Sequence, residues 1–451
     1  MKIKRKDARE FIIAFTFACL SVVIYYFSNN INNGTLYFAV LGCLIRSLTM
    51  VITLKLIEVS CINNIYSGAA FLLYSTVIYN SISCIKYSVL TFYSGALNTL
   101  LSRGLGSVFI DIVIILSSIV FARYHRTIVR RLENQIDRIE LNVPIWITII
   151  LVVAFSYVNI VNVRLTGNTL VSNVSRTMRT FVNLFTYITY AATILSVRRT
   201  KKGKLNLLSL TPIALVGVVN LLMTMISGKK NLIVVFGITV VCGLLYTKKI
   251  SFKFAKYVAY SSPLLLQIVQ TFSEVISGRT FFNTLYKLMY HAFRFDLSDL
   301  AVTIAANFSK ISKPWEVIVE AIEYSIPSIF NTNKASELVA YKDQMAAVGL
   351  IRDYDFNDTF FSMGAQIAGF VGIIAVFLLI VLFFEWISAK IVRIRIIGPG
   401  IMLVLISYFA SCESDWSMFF FQTRDMFIYI ICSYFVLRII LKVRKKKTLG
   451  E

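Results

Sequence analysis

Hydrophobic residues in this chain occur in long runs that are separated by short polar connections. Each run is roughly 17 to 23 residues long, which as an α-helix is enough to cross about 30 Å of hydrocarbon. The pattern predicts an all-α polytopic membrane protein with about 12 transmembrane helices. The predicted spans are 11–27, 36–57, 66–83, 105–122, 144–163, 181–197, 205–226, 232–247, 257–276, 363–386, 397–411 and 426–441.

One long segment interrupts this pattern between the ninth and tenth spans. From Phe272 to Ser362 the chain contains Trp315, two prolines and many carboxylates. Apolar residues recur every three to four positions over 281–293, and Pro314 begins a second such pattern, so we expect amphipathic helices. Long loops often carry function. We predict spans one to nine in 1–276, an extracytoplasmic loop in 277–361, and spans ten to twelve with a basic cytoplasmic tail in 362–451.

The composition agrees with a membrane protein and gives it an orientation. The chain is 57% hydrophobic and 15% charged, which is not typical of a soluble protein. Of its 46 Lys and Arg residues, 28 lie at the termini and in the even-numbered connections. By the positive-inside rule these regions face the cytoplasm and the long loop faces outward. The net charge of +23 is therefore a topology signal, and we expect no nucleic-acid partner.

The cysteines offer no chemistry of their own. All seven lie in or beside apolar runs, and none forms a Cys-x-x-Cys pair. We therefore expect neither a metal site nor a disulfide framework, and no cofactor.

Several cationic residues lie on the predicted outer side, where the positive-inside rule disfavours them. A group of guanidinium and ammonium ions at that interface is suited to phosphate, which Arg binds through two hydrogen bonds and Lys as a point charge. The alternative is contact with lipid headgroups. The candidate phosphate-binding residues are Arg164, Arg176, Arg179, Lys229, Arg279 and Arg294, and Lys230 lies beside them.

The long loop also holds His291, one of only two histidines in the chain. On a helix His291 would share a face with Arg294. A histidine titrates near neutral pH, so His291 is the candidate general base, with Asp296 as its alternative or its orienting partner. The competing interpretation is a histidine with only a hydrogen-bonding role. The other histidine, His125, falls in a basic connection and suggests no function.

Three short motifs resemble the oligosaccharide repeat-unit polymerases of the O-antigen polymerase type. They are Ser227-Gly-Lys-Lys before a span, Arg294-Phe-Asp in the long loop, and the run 357–372 that ends in Gly369-x-x-Gly372. The resemblance covers roughly 226–378. The chain departs from the family pattern at Lys229, where arginine is common, and at Ser362–Gly364, where a glutamate is common.

The resemblance implies a metal-independent glycosyltransferase in the bacterial cytoplasmic membrane. Such enzymes join oligosaccharide repeat units carried on undecaprenyl pyrophosphate at the outer membrane face, alongside a flippase and a chain-length regulator. An acceptor hydroxyl attacks the anomeric carbon, a base takes its proton, and cations stabilise the departing pyrophosphate.

Three alternatives remain open at this point. An O-antigen ligase shares the architecture and the lipid-linked donor but transfers a finished polymer to another acceptor. A lipid-linked oligosaccharide flippase or other transporter usually has charged residues inside its spans, and here these are few, chiefly Arg46, Asp111 and Arg438. A scaffold protein of the cell envelope would leave the outer arginines unexplained.

Overall fold

The computed structural model describes residues 5–29, 36–61, 65–82, 97–132, 143–166, 176–198, 205–227, 231–276, 299–326, 339–348, 358–394, 398–412 and 414–448. These residues form α-helices joined by turns and short 3-10 segments, which confirms the predicted all-α class. The helices are α1 (Arg5–Asn29), α2 (Leu36–Ser60), α3 (Gly68–Ser81), α4 (Leu97–Leu132), α5 (Ile145–Thr166), α6 (Arg176–Ser196), α7 (Thr211–Ser227), α8 (Asn231–Tyr246), α9 (Phe252–Ile276), α10 (Asp299–Ala306), α11 (Glu316–Ser325), α12 (Val339–Ala347), α13 (Phe360–Val392), α14 (Gly398–Phe409) and α15 (Trp416–Thr448).

Four helical segments of the described residues are long and apolar enough to cross a membrane. They are Val40–Ser60, Gly106–Thr127, Leu207–Met225 and Phe360–Val392. Shorter apolar helices accompany them at Ile145–Val161, Leu232–Tyr246 and Gly398–Phe409. This pattern is typical of a multi-pass membrane protein. The count of twelve spans stays a prediction.

The helices α3 and α14 lie at the centre of the bundle. Every residue of α3 is buried, and so is every residue of α14 except Pro399. Both helices pack against α13, and α3 also packs against α9. Tyr74 of α3 donates a hydrogen bond of 2.8 Å to the carbonyl of Ala255 on α9. Such close packing and interhelical hydrogen bonding hold helices together where lipid surrounds the bundle.

The helix α4 runs between two ends of the bundle that differ in character. Near its start, Gly106 lies so close to Val302 of α10 that an added Cβ would clash with that side chain. Farther along, His125 contacts Glu385 of α13. Nineteen residues of helix separate Gly106 from His125, about 28 Å at 1.5 Å per residue. We call the end that carries α10 the loop end and the end where α4 terminates the basic end.

The tenth predicted span, 363–386, lies in a helix that is not straight. The helix α13 is interrupted at Ala368 and Gly369, and Gly369 adopts φ 57° and ψ −136°, which favours glycine. The chain reverses there, because a Cβ added to Gly364 would lie 2.4 Å from the carbonyl oxygen of Gly372. In a straight helix these two residues would be about 12 Å apart. A short arm, 360–367, therefore folds back on a long arm, 370–392.

Candidate functional site

The short arm begins at a cluster of polar side chains around Asp358. Thr359 caps the short arm, since its hydroxyl accepts from the backbone N–H of Ser362 at 3.3 Å and the Ser362 hydroxyl accepts from the N–H of Thr359 at 2.9 Å. The Ser362 hydroxyl also donates to one oxygen of Asp358 at 3.3 Å. The other oxygen of Asp358 accepts a hydrogen bond of 2.6 Å from Tyr341 of α12. The sequence around the cap therefore fixes the position of the Asp358 carboxyl.

Two contacts hold Tyr341 in place from within the long loop. Glu320 of α11 accepts hydrogen bonds from the backbone N–H groups of Ala340 at 3.2 Å and Tyr341 at 3.4 Å, at the start of α12. A carboxylate is favourable at a helix N-terminus, where N–H groups lack partners. Gln344 of α12 donates a bond of 3.3 Å to the carbonyl of Pro314. The second helix predicted in the loop, which starts at Pro314, is confirmed as α11, whereas the first, over 281–293, lies outside the described residues. Together with α12, which was not predicted, α11 supports Asp358.

A second carboxylate lies next to Asp358 at the start of α15. Asp415 caps α15, accepting from the hydroxyl of Ser417 at 2.7 Å and from the backbone N–H of Met418 at 2.5 Å. The backbone N–H of Ser414 donates to the carbonyl oxygen of Asp358 at 2.9 Å, so the two segments are joined directly. The fold therefore brings the carboxyl groups of Asp358 and Asp415 together.

The surroundings of Asp358 change its acidity. Burial raises the pKa of this carboxyl to about 7, and repulsion from Asp415 adds to the effect, while the hydrogen bonds from Tyr341 and Ser362 act in the opposite direction. No Lys or Arg among the described residues forms an ion pair with Asp358. The same burial, with the charge of Asp358, raises the pKa of the Tyr341 hydroxyl. Asp358 can therefore gain or lose a proton near neutral pH, as general acid–base catalysis requires.

A cation lies farther along α15. The guanidinium of Arg424 donates to Asp425 at 2.7 Å, to the carbonyl of Ser325 at 2.8 Å and to the hydroxyl of Thr180 at 3.4 Å. It also lies 4.8 Å from the centre of the Phe421 ring. Nine residues of chain separate Arg424 from Asp415, roughly 14 Å in a helix.

Arg424 lies near two residues of the predicted phosphate-binding set. Thr180, which Arg424 contacts, lies near the start of α6, and Arg176 and Arg179 precede it on the same helix. A helix N-terminus attracts anions through its unpaired N–H groups. The fold thus brings Arg424, which was not predicted from the sequence, to the end of α6 that carries the predicted residues Arg176 and Arg179.

The other predicted site residues receive no test. Arg164 is in the last turn of α5, and for Arg164, Arg176 and Arg179 only the backbone belongs to the described structure. The remaining residues lie outside the described residues, and their roles stay predictions: Lys229, Arg279, His291, Arg294 and Asp296. Among the described residues, no group of three His, Cys, Asp or Glu side chains is arranged to hold a metal ion.

The prediction made for His125 from the sequence is wrong. We assigned it to a basic connection, but α4 continues to Leu132 and buries His125 inside the bundle. Its Nδ1 lies 2.5 Å from Oε1 of Glu385, and its Nε2 lies 3.1 Å from the carbonyl of Ile65. Stacking on Phe121 at 4.9 Å favours continuing the helix into this charged stretch.

Asp358 was also missed, although a signal was present. An acidic residue followed by Thr359 and, three positions later, Ser362 lies directly before a long apolar run, which is a helix-capping pattern. No comparable signal marks Arg424, because two of its partners, Thr180 and Ser325, come from other helices.

The comparisons with known proteins add no relative. No protein-family model, no curated protein and no solved structure matches this chain.

Proposed function

We propose that the chain is a membrane glycosyltransferase that polymerises oligosaccharide repeat units linked to undecaprenyl pyrophosphate, at the outer face of a bacterial cytoplasmic membrane. The observation that carries this proposal is Asp358, a carboxyl with a pKa of about 7 held between the long loop and the bundle. The motif resemblance over 226–378 gives the substrate class. Asp358 lies within that same region of the chain.

Asp358 supplies the base that the reaction needs. The acceptor hydroxyl forms a new bond to the anomeric carbon of the donor glycan, and the bond from that carbon to the pyrophosphate oxygen breaks. The hydroxyl proton passes to the ionised Asp358, and the electron pair leaves with the lipid pyrophosphate. In this scheme Asp358 takes the role that was predicted from the sequence for His291, with Asp296 as the alternative.

In this proposal, cations of α6 and α15 that lie near the start of α6 bind the pyrophosphate. Arg424 is anchored by Asp425 and Ser325, so its guanidinium is fixed in position. Together with the predicted residues Arg176 and Arg179 it stabilises the charge that develops on the leaving group. Metal is not required for this step, because guanidinium groups can carry the same charge stabilisation.

Product analysis tests the proposal. The full chain, purified and reconstituted into vesicles, is supplied with a single repeat unit on undecaprenyl pyrophosphate, and the lipid-linked glycans are sized. A polymerase yields dimers and longer chains with release of undecaprenyl pyrophosphate. Glycan found only on an added core acceptor identifies a ligase and contradicts polymerisation. Movement of the lipid-linked repeat unit across the vesicle membrane, without any new glycosidic bond, identifies a transporter.

One observation favours the transporter as the second candidate. The structure reveals more ionisable residues inside the bundle than the sequence indicated, notably the buried pair of His125 and Glu385. Such groups in transporters line ion or substrate pathways. His125→Gln and Glu385→Gln separate the two functions: they stop translocation in a transporter, and they leave chain extension within about twofold in a polymerase that uses Asp358.

A further inference from the structure

A stripe of α4 faces away from the bundle and ends in two arginines. Ile112, Leu116 and Ile119 are 49%, 43% and 49% exposed. Arg123 and Arg126 follow at spacings of four and three residues, so they lie on the same face of the helix, and both are exposed. An apolar stripe that leads directly into two positive charges is complementary to a lipid with an anionic headgroup.

A cleft lies beside the end of this stripe, between α4 and α2. It measures about 390 Å³ and is lined by Leu56, Ile119, Ala122, Arg123, Arg126 and Thr127. Its walls are apolar toward the middle of the bundle and basic at the basic end. We call it the Arg123 cleft.

The two arginines of the Arg123 cleft have no acidic partner among the described residues, although a nearby lysine has one. Lys55 of α2 lies 3.0 Å from a carboxylate oxygen of Asp7. No described carboxylate comes within ion-pair distance of Arg123 or Arg126. Among the described residues nothing balances the charge of these two arginines, so an anionic ligand would complement it.

We propose that the Arg123 cleft is a binding site for one anionic glycerophospholipid. The phosphate lies between Arg123 and Arg126, since a guanidinium offers paired N–H donors that match phosphate oxygens. One acyl chain follows the stripe formed by Ile119, Leu116 and Ile112. A zwitterionic lipid is disfavoured, because its ammonium group would lie against the two guanidinium groups. This site is independent of the glycosyltransferase proposed above.

Competition between two lipids tests the site. The purified full chain in detergent is mixed with equal amounts of phosphatidylglycerol and phosphatidylcholine of the same acyl chains, and native mass spectrometry counts the lipids bound. The unmodified protein is expected to retain one phosphatidylglycerol with a preference of roughly tenfold, in line with charge-assisted hydrogen bonds to phosphate. In the double variant Arg123→Gln, Arg126→Gln this preference should fall to about one.

A matched control separates a built site from general surface charge. Arg198 and Arg393 are exposed and do not line the Arg123 cleft. The double variant Arg198→Gln, Arg393→Gln removes the same charge and should keep the preference. Equal loss in both double variants, or an unchanged preference in the Arg123 and Arg126 variant, overturns the proposal.

Filling the cleft gives a second readout that leaves charge unchanged. Ala122 is 7% exposed and lines the cleft, so Ala122→Trp places a large side chain where the lipid would lie. The variant should lose the bound phosphatidylglycerol while eluting as a single species in gel filtration. A well-folded Ala122→Trp protein that still retains the lipid contradicts the assignment to this cleft.

Discussion

Two charge clusters in this molecule are built in opposite ways. In the first, Lys256 is 1% exposed and donates to Glu10 at 2.8 and 2.7 Å and to Glu58 at 2.8 Å, so opposite charges meet. In the second, Asp358 lies beside Asp415, so like charges meet. The first joins α1, α2 and α9, and the second joins the long loop to α13 and α15.

We infer a separate role for each cluster from this difference. A buried charge is costly unless it is paired and hydrogen-bonded, and the Lys256 cluster meets that condition with a third contact from Tyr260 to Glu10 at 3.1 Å. Two neighbouring carboxyls instead raise the proton affinity of one of them. We infer that the Lys256 cluster stabilises the fold and that the Asp358 cluster is retained for proton transfer at some cost in stability.

The largest expected effect is on activity at Asp358. Asp358→Asn keeps the size of the side chain and one of its two acceptor oxygens but removes the base, so the rate of chain extension should fall about 10²–10⁴-fold. Glu316→Gln, an exposed carboxyl of α11, is the control and should retain full activity. Normal polymer made by Asp358→Asn would show that the base lies elsewhere, with His291 the first residue to examine.

Substitutions in the Lys256 cluster should change the stability of the protein rather than its activity. Lys256→Met removes the buried cation between Glu10 and Glu58 and leaves them only longer ion pairs to Lys6 and Lys55, at 3.8 to 3.9 Å. Removing one partner of a buried ion pair typically costs about 3–5 kcal/mol. Lys253→Met, three residues earlier and exposed, should change stability by less than about 0.5 kcal/mol. Denaturation of the two variants in detergent compares them, and equal stability would contradict the structural role of Lys256.

A smaller effect is expected at Arg424. Removing one group that stabilises charge in a transition state typically costs about 10²–10³-fold, and we expect the lower figure for Arg424→Ala because Arg176 and Arg179 remain. Arg424→Lys should recover part of the rate, since an ammonium keeps the charge but not the paired geometry. If the alanine variant inserts normally and extends chains at the unmodified rate, Arg424 does not act on the pyrophosphate.

Asp358 should also make stability depend on pH. Its pKa is raised from 3.8 to about 7 in the folded protein, so the folded state binds the proton more tightly. The stability from this group is therefore fully present at low pH and is lost as pH rises from about 4 to about 7. Asp358→Asn should raise the melting temperature relative to the unmodified protein at pH 8. A melting temperature that falls at pH 8 would contradict the raised pKa.

The helical class follows from the sequence because apolar runs of this length have few other structures in a membrane. The reversal of α13 does not follow, since Gly369-x-x-Gly372 equally indicates close packing of straight helices. Only the contact of Gly364 with Gly372 distinguishes the two. The hydrophobic pattern of the sequence could not predict the buried ion pairs either, because Lys256 and Glu10 lie 246 positions apart.

The pH dependence of chain extension in the unmodified protein and in Asp415→Asn tests the central claim most directly. Asparagine keeps the cap of α15 but removes the charge that adds to the effect of burial in raising the pKa of Asp358. In the unmodified protein the rate should rise with pH through about 7, as Asp358 ionises. In Asp415→Asn the same rise should occur at lower pH. A rise at the same pH in both proteins would contradict Asp358 as the proton acceptor.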